Sequence, residues 1–477
     1  MTDDNRRRKK VARIKVARNE KNTYNDYVTP IIFVPGVMGS RLEFKSKNRW
    51  DPDAAWEMKH WLWASADKQR EEMRCATFRD TTYNAVMVEN GNYSEADGLV
   101  NEDIQRGWGG VSFKYHGKFL TDGKKSYYSE NTNPLYASGY DWRDSNSKSG
   151  YYLEKKITAV LDAHKVKKCI IVTHSMGGLV TRASFRQKPE LMSKVLTTVH
   201  LCQPVIGTPV AYRRFFTGVT AVYDGGASAA IFGLAVGNTG DKFSKVISVM
   251  DGPLQLLPAD GYPNVKDAPW LRYVSLEQKK NNQIGYWNRS IYANYVDTVQ
   301  PPGPIDGTAA GLMLKVRVEM YNRIVRAKAL HDALRVNGKL FLHPLTFSIY
   351  SRGLTTDAIV EFEQVYENWY SPKRLDVSRY WVGGNGYALA LNDWQRPKDG
   401  GDGTVAEQSA AALYPDQINI LPPKRWQDIG KLPNGKDGVR QYLISGVEHA
   451  VAANDSEFGL KVSLIIHRVL RAFGRIK

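Results

Sequence analysis

The sequence predicts an α/β protein built on a central, mostly parallel sheet, and three observations carry that expectation. An aliphatic run, Cys169-Ile-Ile-Val172, passes through Thr-His-Ser-Met-Gly-Gly178 into a helical pattern. A second apolar run, 195–201, follows that helix, so strand and helix alternate as they do in parallel α/β sheets. An earlier run, Pro30-Ile-Ile-Phe-Val34, is bounded by a proline before it and by Pro35-Gly36 after it. Short runs this uniformly apolar read as strands buried on both faces.

Taken in order, the chain opens with a basic arm, 1–27, in which Arg6-Arg-Arg-Lys-Lys10 is followed by Arg13, Lys15, Arg18 and Lys21. Such a run is a solvated arm on its own. Near anionic lipid, each basic residue adds about 1 kcal/mol of attraction. The strand at 30–34 leads into a loop with two glycines, Pro35-Gly-Val-Met-Gly-Ser40. Residues 50–130 are aromatic and charged with poor periodicity and include Trp56, Trp61 and Trp63. A helix is expected over 151–164, then the strand from Cys169, a helix over 178–187 and the strand 195–201. Residues 204 to about 340 break this rhythm and end in a helical stretch at 313–334, which reads as an insertion. Later strands are expected at 341–350 and 442–445. A closing helix is expected over 457–472, where Leu460, Leu464, Ile465, Val469 and Leu470 recur at helical spacing. The expected division is an arm at 1–27, a core at 28–205 and 340–477, and a lid or cap insertion at 206–339.

Composition narrows the function. With 477 residues the chain exceeds what one compact core needs, in keeping with a core plus insertions. The net charge of +17 calls for an anionic partner or a solvated arm, and no nucleic-acid-binding motif accompanies it, so nucleic acid is not expected as a partner. Three scattered cysteines, Cys75, Cys169 and Cys202, are too few for a disulfide framework or a metal knuckle. The N-terminus lacks an apolar segment of the kind a cleavable signal carries, so synthesis in the cytoplasm is expected. The most apolar stretch, 227–236, is too short to span a bilayer.

Ser175 is the natural nucleophile. An aliphatic strand turning sharply into a helix at a serine projects the hydroxyl above the sheet, with the helix N-terminus aimed at the reacting centre. Thr173 stands where the usual pattern has its first glycine, and a β-branched residue suits the end of a strand. A serine nucleophile needs a base within hydrogen-bond reach and a carboxylate behind that base. Among His200, His331, His343, His449 and His467, only His449 follows a strand-like run in a short loop ahead of the closing helix. Asp402, in Gly-Gly-Asp-Gly-Thr-Val405, is the favoured acid. Asp306 has a similar neighbourhood within the insertion, and Asp399 lies three residues too early. The oxyanion would be held by two backbone amides, one from Met176 and one from Val37 in the early glycine loop. That loop lacks the Lys-Ser/Thr of a phosphate-binding loop. No metal or cofactor is required by this chemistry.

The motifs Phe33-Val-Pro-Gly-Val-Met-Gly-Ser40, Tyr140-Asp-Trp-Arg143, Thr173-His-Ser-Met-Gly-Gly178, Gly401-Asp-Gly-Thr-Val405 and Glu448-His449 together resemble the α/β-hydrolase lipases related to lecithin:cholesterol acyltransferase and GPI inositol-deacylase. Within that group the chain is most similar to the antibacterial phospholipase effectors of type VI secretion. The resemblance covers roughly 28–205 and 340–470. It implies an α/β-hydrolase fold, with Ser175, Asp402 and His449 as nucleophile, acid and base and Val37 and Met176 at the oxyanion hole. Tyr140 to Arg143 matches a segment near the acyl pocket, where core packing and an internal Arg–Asp pair are the plainer roles. The resemblance also implies phospholipase activity, with A1 specificity favoured, and a lid formed by the insertion. That insertion is either a mobile cover or a packed helical subdomain, with 212–216 and 227–236 the stretches expected to meet a membrane. A phospholipid membrane surface, a cognate immunity protein and a secretion-apparatus component are the implied partners, and a target-cell periplasm the implied place of action. Acyl transfer, general esterase activity and an inactive lipid-binding module are the alternatives.

Overall fold

The structure, a computed structural model, describes residues 27–75, 85–87, 99–124, 132–220, 224, 226–263, 269–281, 310–364, 380–382, 387–390, 400–415 and 440–476. The arm at 1–26 and the alternative acids Asp306 and Asp399 lie outside the described residues.

Six strands form the central sheet: β1 Ile31–Val34, β2 Leu135–Ala137, β3 Cys169–His174, β4 Val195–Leu201, β5 Thr346–Arg352 and β6 Gln441–Ser445. Their order is β6-β5-β4-β3-β1-β2, and every pairing is parallel. The helices used below are α1 Ala55–Trp63, α2 Ala66–Met73, α3 Phe113–Asp122, α4 Asn146–His164 and α5 Gly177–Gln187. They continue with α6 Pro209–Thr217, α7 Gly226–Val236, α8 Gly240–Ile247, α9 Ala310–Ala333 and α10 Ser456–Ala472.

Strand alternation sorts the core into two layers. Ile32, Val34 and Ile171 face one way and pack with Leu153 and Ile157 of α4 and Leu179 and Val180 of α5. Ile31, Phe33, Ile170 and Val172 face the other way, against Phe119 and Leu120 of α3 and Phe458, Val462 and Ile465 of α10. Burial on both faces explains why these strands read as unbroken apolar runs. It is the fold of an α/β-hydrolase.

Three elements differ from expectation. The edge strand β2 is only three residues long and carries too little pattern to be read in advance. Helix α4 begins at Asn146 instead of 151. Its polar first turn is held by Gln255, whose Oε1 accepts from both the backbone N–H and the Nδ2 of Asn146 at 2.8 Å. The third difference concerns the insertion. A four-stranded sheet pairs Leu271–Val274 in parallel with Val360–Gln364, which continues antiparallel to Tyr387–Ala390 and Tyr380–Val382. This second sheet thus takes one strand, 271–274, from the expected insertion and three from beyond β5.

An ion cluster joins α6 to the segment ahead of strand Val360–Gln364. Arg213 of α6 bonds Asp357 at 2.6 Å and Asp224 at 2.7 Å, all three essentially closed to solvent, and Arg214 adds a contact of 2.9 Å to Asp224. Burial raises the Asp224 carboxyl, but Arg214 and Arg213 override it and hold it at about 2. The stretch 212–216, expected at a membrane, packs inward instead: Tyr212 is fully buried against Trp270, Phe216 and Phe362. Among the described residues no helix is long and apolar enough to cross a membrane.

Candidate active site

The site lies at the C-terminal ends of β1, β3, β4, β5 and β6. At the end of β3 the chain turns through Ser175, whose φ of +52° is left-handed and strained for a serine. Its N–H donates to the Leu201 carbonyl of β4 at 2.8 Å, which fixes the turn against the neighbouring strand. Gly177 is pressed on the β1 loop: a Cβ there would stand 2.5 Å from the Val34 carbonyl oxygen and 2.6 Å from that of Pro35. No side chain fits. Thr173 completes the elbow differently from a glycine, its hydroxyl lying 2.7 Å from Nδ1 of His200, its register partner on β4.

Ser175, His449 and Asp402 meet as a hydrogen-bonded series. His449 Nε2 lies 2.8 Å from Ser175 Oγ, and its Nδ1 lies 2.7 Å from Asp402 Oδ2. Asp402 can only accept in its ionised form, so Nδ1 carries the proton and Nε2 is left to receive the serine hydroxyl. The other carboxylate oxygen accepts from the Thr404 and Val405 amides at 3.0 and 2.7 Å, and Asp402's own carbonyl accepts from the His449 amide at 2.9 Å. Each partner is thereby fixed to the next. All three are buried, with Ser175 only 3% exposed.

His449 follows β6 directly, as read from the sequence. Asp402 reaches its place less directly. Its loop is bridged at Gly401 to Leu354, just past the end of β5, and the Gly403 amide donates to Thr356 Oγ1 at 2.8 Å. Almost fifty residues after β5, the acid is pinned back to the end of that strand.

The loop 35–40 wraps Ser175. A Cβ on Gly36 would meet Ser175 Cβ at 2.9 Å and Oγ at 3.4 Å, so only a glycine lets the backbone come this close. Tyr140 donates its hydroxyl to the Pro35 carbonyl at 3.0 Å, Trp50 donates Nε1–H to the Met38 carbonyl at 3.1 Å, and Ser40 Oγ accepts from the Tyr140 amide. Among the described residues, the amides of Val37 and Met176 donate to no protein acceptor, although Met176 is fully buried. Unpaired amides beside a nucleophile are free to receive a developing oxyanion. In the segment 140–143, Arg143 is held bidentate by Asp141 and Trp142 packs on Trp50.

The remaining histidines have structural partners. His331 bonds the Gln255 carbonyl, and His343 contacts those of Leu345, Met192 and Val195. His200 serves Thr173, and His467 lies on the exposed side of α10. Sequence reading passed over two others. His174, the residue before the nucleophile, donates Nε2–H to the His449 carbonyl at 2.9 Å, which leaves its Nδ1 to accept from His116 Nε2 at 3.3 Å. Burial, with His449 and His116 alongside, pushes His174 well below the ordinary imidazole range, and burial brings His116 to about 4. Both rings are neutral at physiological pH. In a strand buried on both faces no periodicity marks His174 as special. Gln203, just past β4, was also unmarked: it is fully buried, neither amide atom finds a protein partner, and it packs on Gly178 in the first turn of α5.

Metal-ligating groups converge twice among the described residues, at Cys202–Asp402–His449 and at Cys75–Asp144–Asp251. The first coincides with the triad. In the second, Arg323 stands 2.9 Å from both Cys75 Sγ and Asp251 Oδ2 and already supplies the positive charge. All three cysteines are free and buried, and burial pushes the Cys75 and Cys169 thiols to about 12.

The family model of lecithin:cholesterol acyltransferase matches residues 115–271, a span that includes the elbow but neither Asp402 nor His449. Among solved structures, a chain of the Tle4–Tli4 complex is similar over 93% of this chain and 98% of its own, with 18% identity and a TM-score of 0.66. The mature Bacillus licheniformis lipase BlEst2 aligns over 94% and 96% at 11% identity, with a TM-score of 0.31. A peroxisomal α/β-hydrolase of Saccharomyces cerevisiae, Lpx1, aligns over 96% and 80% at 11% identity, with a TM-score of 0.28. No curated protein matches the sequence.

Proposed function

We propose that the protein is a serine carboxylic-ester hydrolase acting on membrane phospholipid. The observation that carries this reading is the continuous hydrogen-bonded series from Asp402 through His449 to a strained Ser175 at the turn between β3 and α5. His449 Nε2 takes the Ser175 proton as Oγ attacks the acyl carbonyl, and the ester oxygen becomes an oxyanion held by the Val37 and Met176 amides. His449 then gives that proton to the departing alcohol oxygen, leaving an acyl-serine. Water, deprotonated by His449, attacks the acyl carbon and releases the fatty acid and a free Ser175. Asp402 stays ionised throughout and stabilises the imidazolium.

The phospholipid substrate, with A1 regiochemistry favoured, rests on the resemblance to type VI phospholipase effectors. The similarity in fold to a chain of the Tle4–Tli4 complex, end to end, supports it. An antibacterial role in a target-cell periplasm, with an immunity partner, belongs to the same reading. Ser175→Ala should abolish fatty-acid release from phospholipid vesicles, a loss of about 10⁴-fold or more, with the thermal midpoint unchanged. Hydrolysis persisting in that variant overturns the mechanism. Equal harmlessness of the enzyme expressed in periplasm and cytoplasm overturns the effector role.

A second reading, acyl transfer to an alcohol, is favoured by the match to the acyltransferase family over 115–271. It differs only in what intercepts the acyl-serine, and an acylated acceptor in place of free fatty acid identifies it.

A further inference from the structure

The exposed aromatic residues of helix α1 are not scattered. Helix α1 buries Met58 and Trp61 and turns Trp56 and Trp63, seven residues apart and so on one face, outward. Trp56 is 69% exposed and Trp63 87%. Lys59 is exposed on the same face between them. Leu234 of α7, 41% exposed, is joined to α1 from behind this face: buried Gln69 of α2 donates Nε2–H to the carbonyls of both Trp61 and Leu234, and Lys242 Nζ donates to the Leu234 carbonyl at 2.9 Å. The nearby carboxylates are engaged, Glu57 turned to Arg49 and Glu71 to Arg74, while Asp67 sits in the first turn of α2, where the helix dipole favours it.

We propose that this face of α1, with Leu234, docks the protein on the surface of an anionic phospholipid bilayer. Two large indoles left in water by a helix that has a core to bury them in are an unspent apolar surface. Indole, apolar in body with one N–H donor, is the side chain best suited to the depth of lipid head groups. Lys59 between the indoles, on a chain of net charge +17, supplies the attraction to anionic lipid. The helix is also linked to the site through the core. Trp61, on the buried side of the same helix, packs on Trp50 at 6.2 Å between ring centroids, and Trp50 holds the Met38 carbonyl of the oxyanion loop. Phe232 of α7 stacks on the same Trp50 at 6.0 Å. Docking through α1 therefore brings the lipid to the side of the molecule from which the oxyanion loop is supported. It replaces the sequence-based expectation at 212–216, whose aromatics are spent on the core.

The inference rests on the phospholipase reading but is measured apart from it. Ser175→Ala protein, which leaves lipid intact, is titrated with phosphatidylcholine vesicles containing phosphatidylglycerol. Trp56→Ala with Trp63→Ala should weaken binding at least about thirtyfold. Lys59→Glu, which touches no core group, should weaken it about tenfold and lessen its salt dependence. In the active enzyme the same substitutions should leave hydrolysis of a monomeric short-chain ester within about twofold while slowing hydrolysis of vesicles. Vesicle binding unchanged in the double variant, or no binding by the Ser175→Ala parent, overturns the docking surface. So does a dimer dissolved by these substitutions with vesicle binding retained. If vesicles bind through α1 but Ser175→Ala costs no ester hydrolysis, it is the reading of the site that falls and the docking surface that stands.

Discussion

The elbow and the cap bury polar groups in opposite ways. Around Ser175 the buried titratable groups are mostly imidazoles kept neutral, and their partners are backbone carbonyls or one another: His174 to His449 and His116 to His174. In the cap the buried groups are charged and paired, as in Arg213 with Asp357 and Asp224, or Arg323 with Asp251 and Glu319. A neutral strut costs little to bury and holds geometry without a long-range field, so it leaves the His449–Asp402 hydrogen bond undisturbed beside the serine. Paired charges are costly to bury and tolerate no loss of a partner. The active site is held by shape and the cap by charge.

The contrast is broken most severely at Arg213. Arg213→Met takes this cation from Asp357 and leaves Asp224 with Arg214 alone in the interior. The expected cost is about 3–5 kcal/mol of stability, read as a lower denaturant midpoint. A midpoint shift below about 1 kcal/mol for Arg213→Met would mean that the cap is held by its aromatic packing alone.

The site yields more selectively. His174→Leu deletes the donor to the His449 carbonyl and leaves that carbonyl and His116 Nε2 unpaired. The loop carrying His449 then loses one of its anchors, while the amides of His449 on Asp402, Gly446 on Arg352 and Val447 on Ser351 remain. The expected result is a fall of about 10- to 100-fold in kcat with KM nearly constant, because geometry of the base is altered and substrate contacts are not. His174→Gln, which restores an N–H donor, should recover much of the loss. Equal losses in kcat with either replacement would reduce His174 to a core filler.

This division explains what the sequence disclosed. The β3–α5 elbow is written locally: six buried strand residues, a serine, then two glycines pressed against neighbours. The order of Ser175, Asp402 and His449 was legible for the same reason, since each sits in a short loop whose residues carry their own signal. Asp402's route was not legible, because its loop is held to Leu354 and Thr356 by bonds between distant segments. The cap was illegible for a related reason. Its second sheet joins 271–274 to 360–364, and the region of Trp50, Trp61 and Trp142 has no periodicity because the rings pack on one another across elements. His174 and Gln203 were hidden by burial itself: a strand or turn closed on all sides offers no contrast between faces.

The smallest effect, and the finest test of the two modes, is the acid titration. His116 ionises at about 4 in the folded protein and near 6.5 when exposed, so the unfolded chain binds the proton first. Stability from this group is complete above about 6.5 and is lost as pH falls from there to about 4. Asp224 is lowered from 3.8 to about 2, so its contribution is complete above about 4 and is lost only as pH falls towards 2. On acidification the neutral struts near the site should therefore weaken before the charged clamp of the cap. His116→Gln should flatten the stability curve between about 6.5 and 4 and leave its lower limb intact, whereas Asp224→Asn should act on the lower limb. Thermal midpoints across that range separate the two. A single loss centred near 4, removed by neither substitution, would show that the two regions are not held by different means.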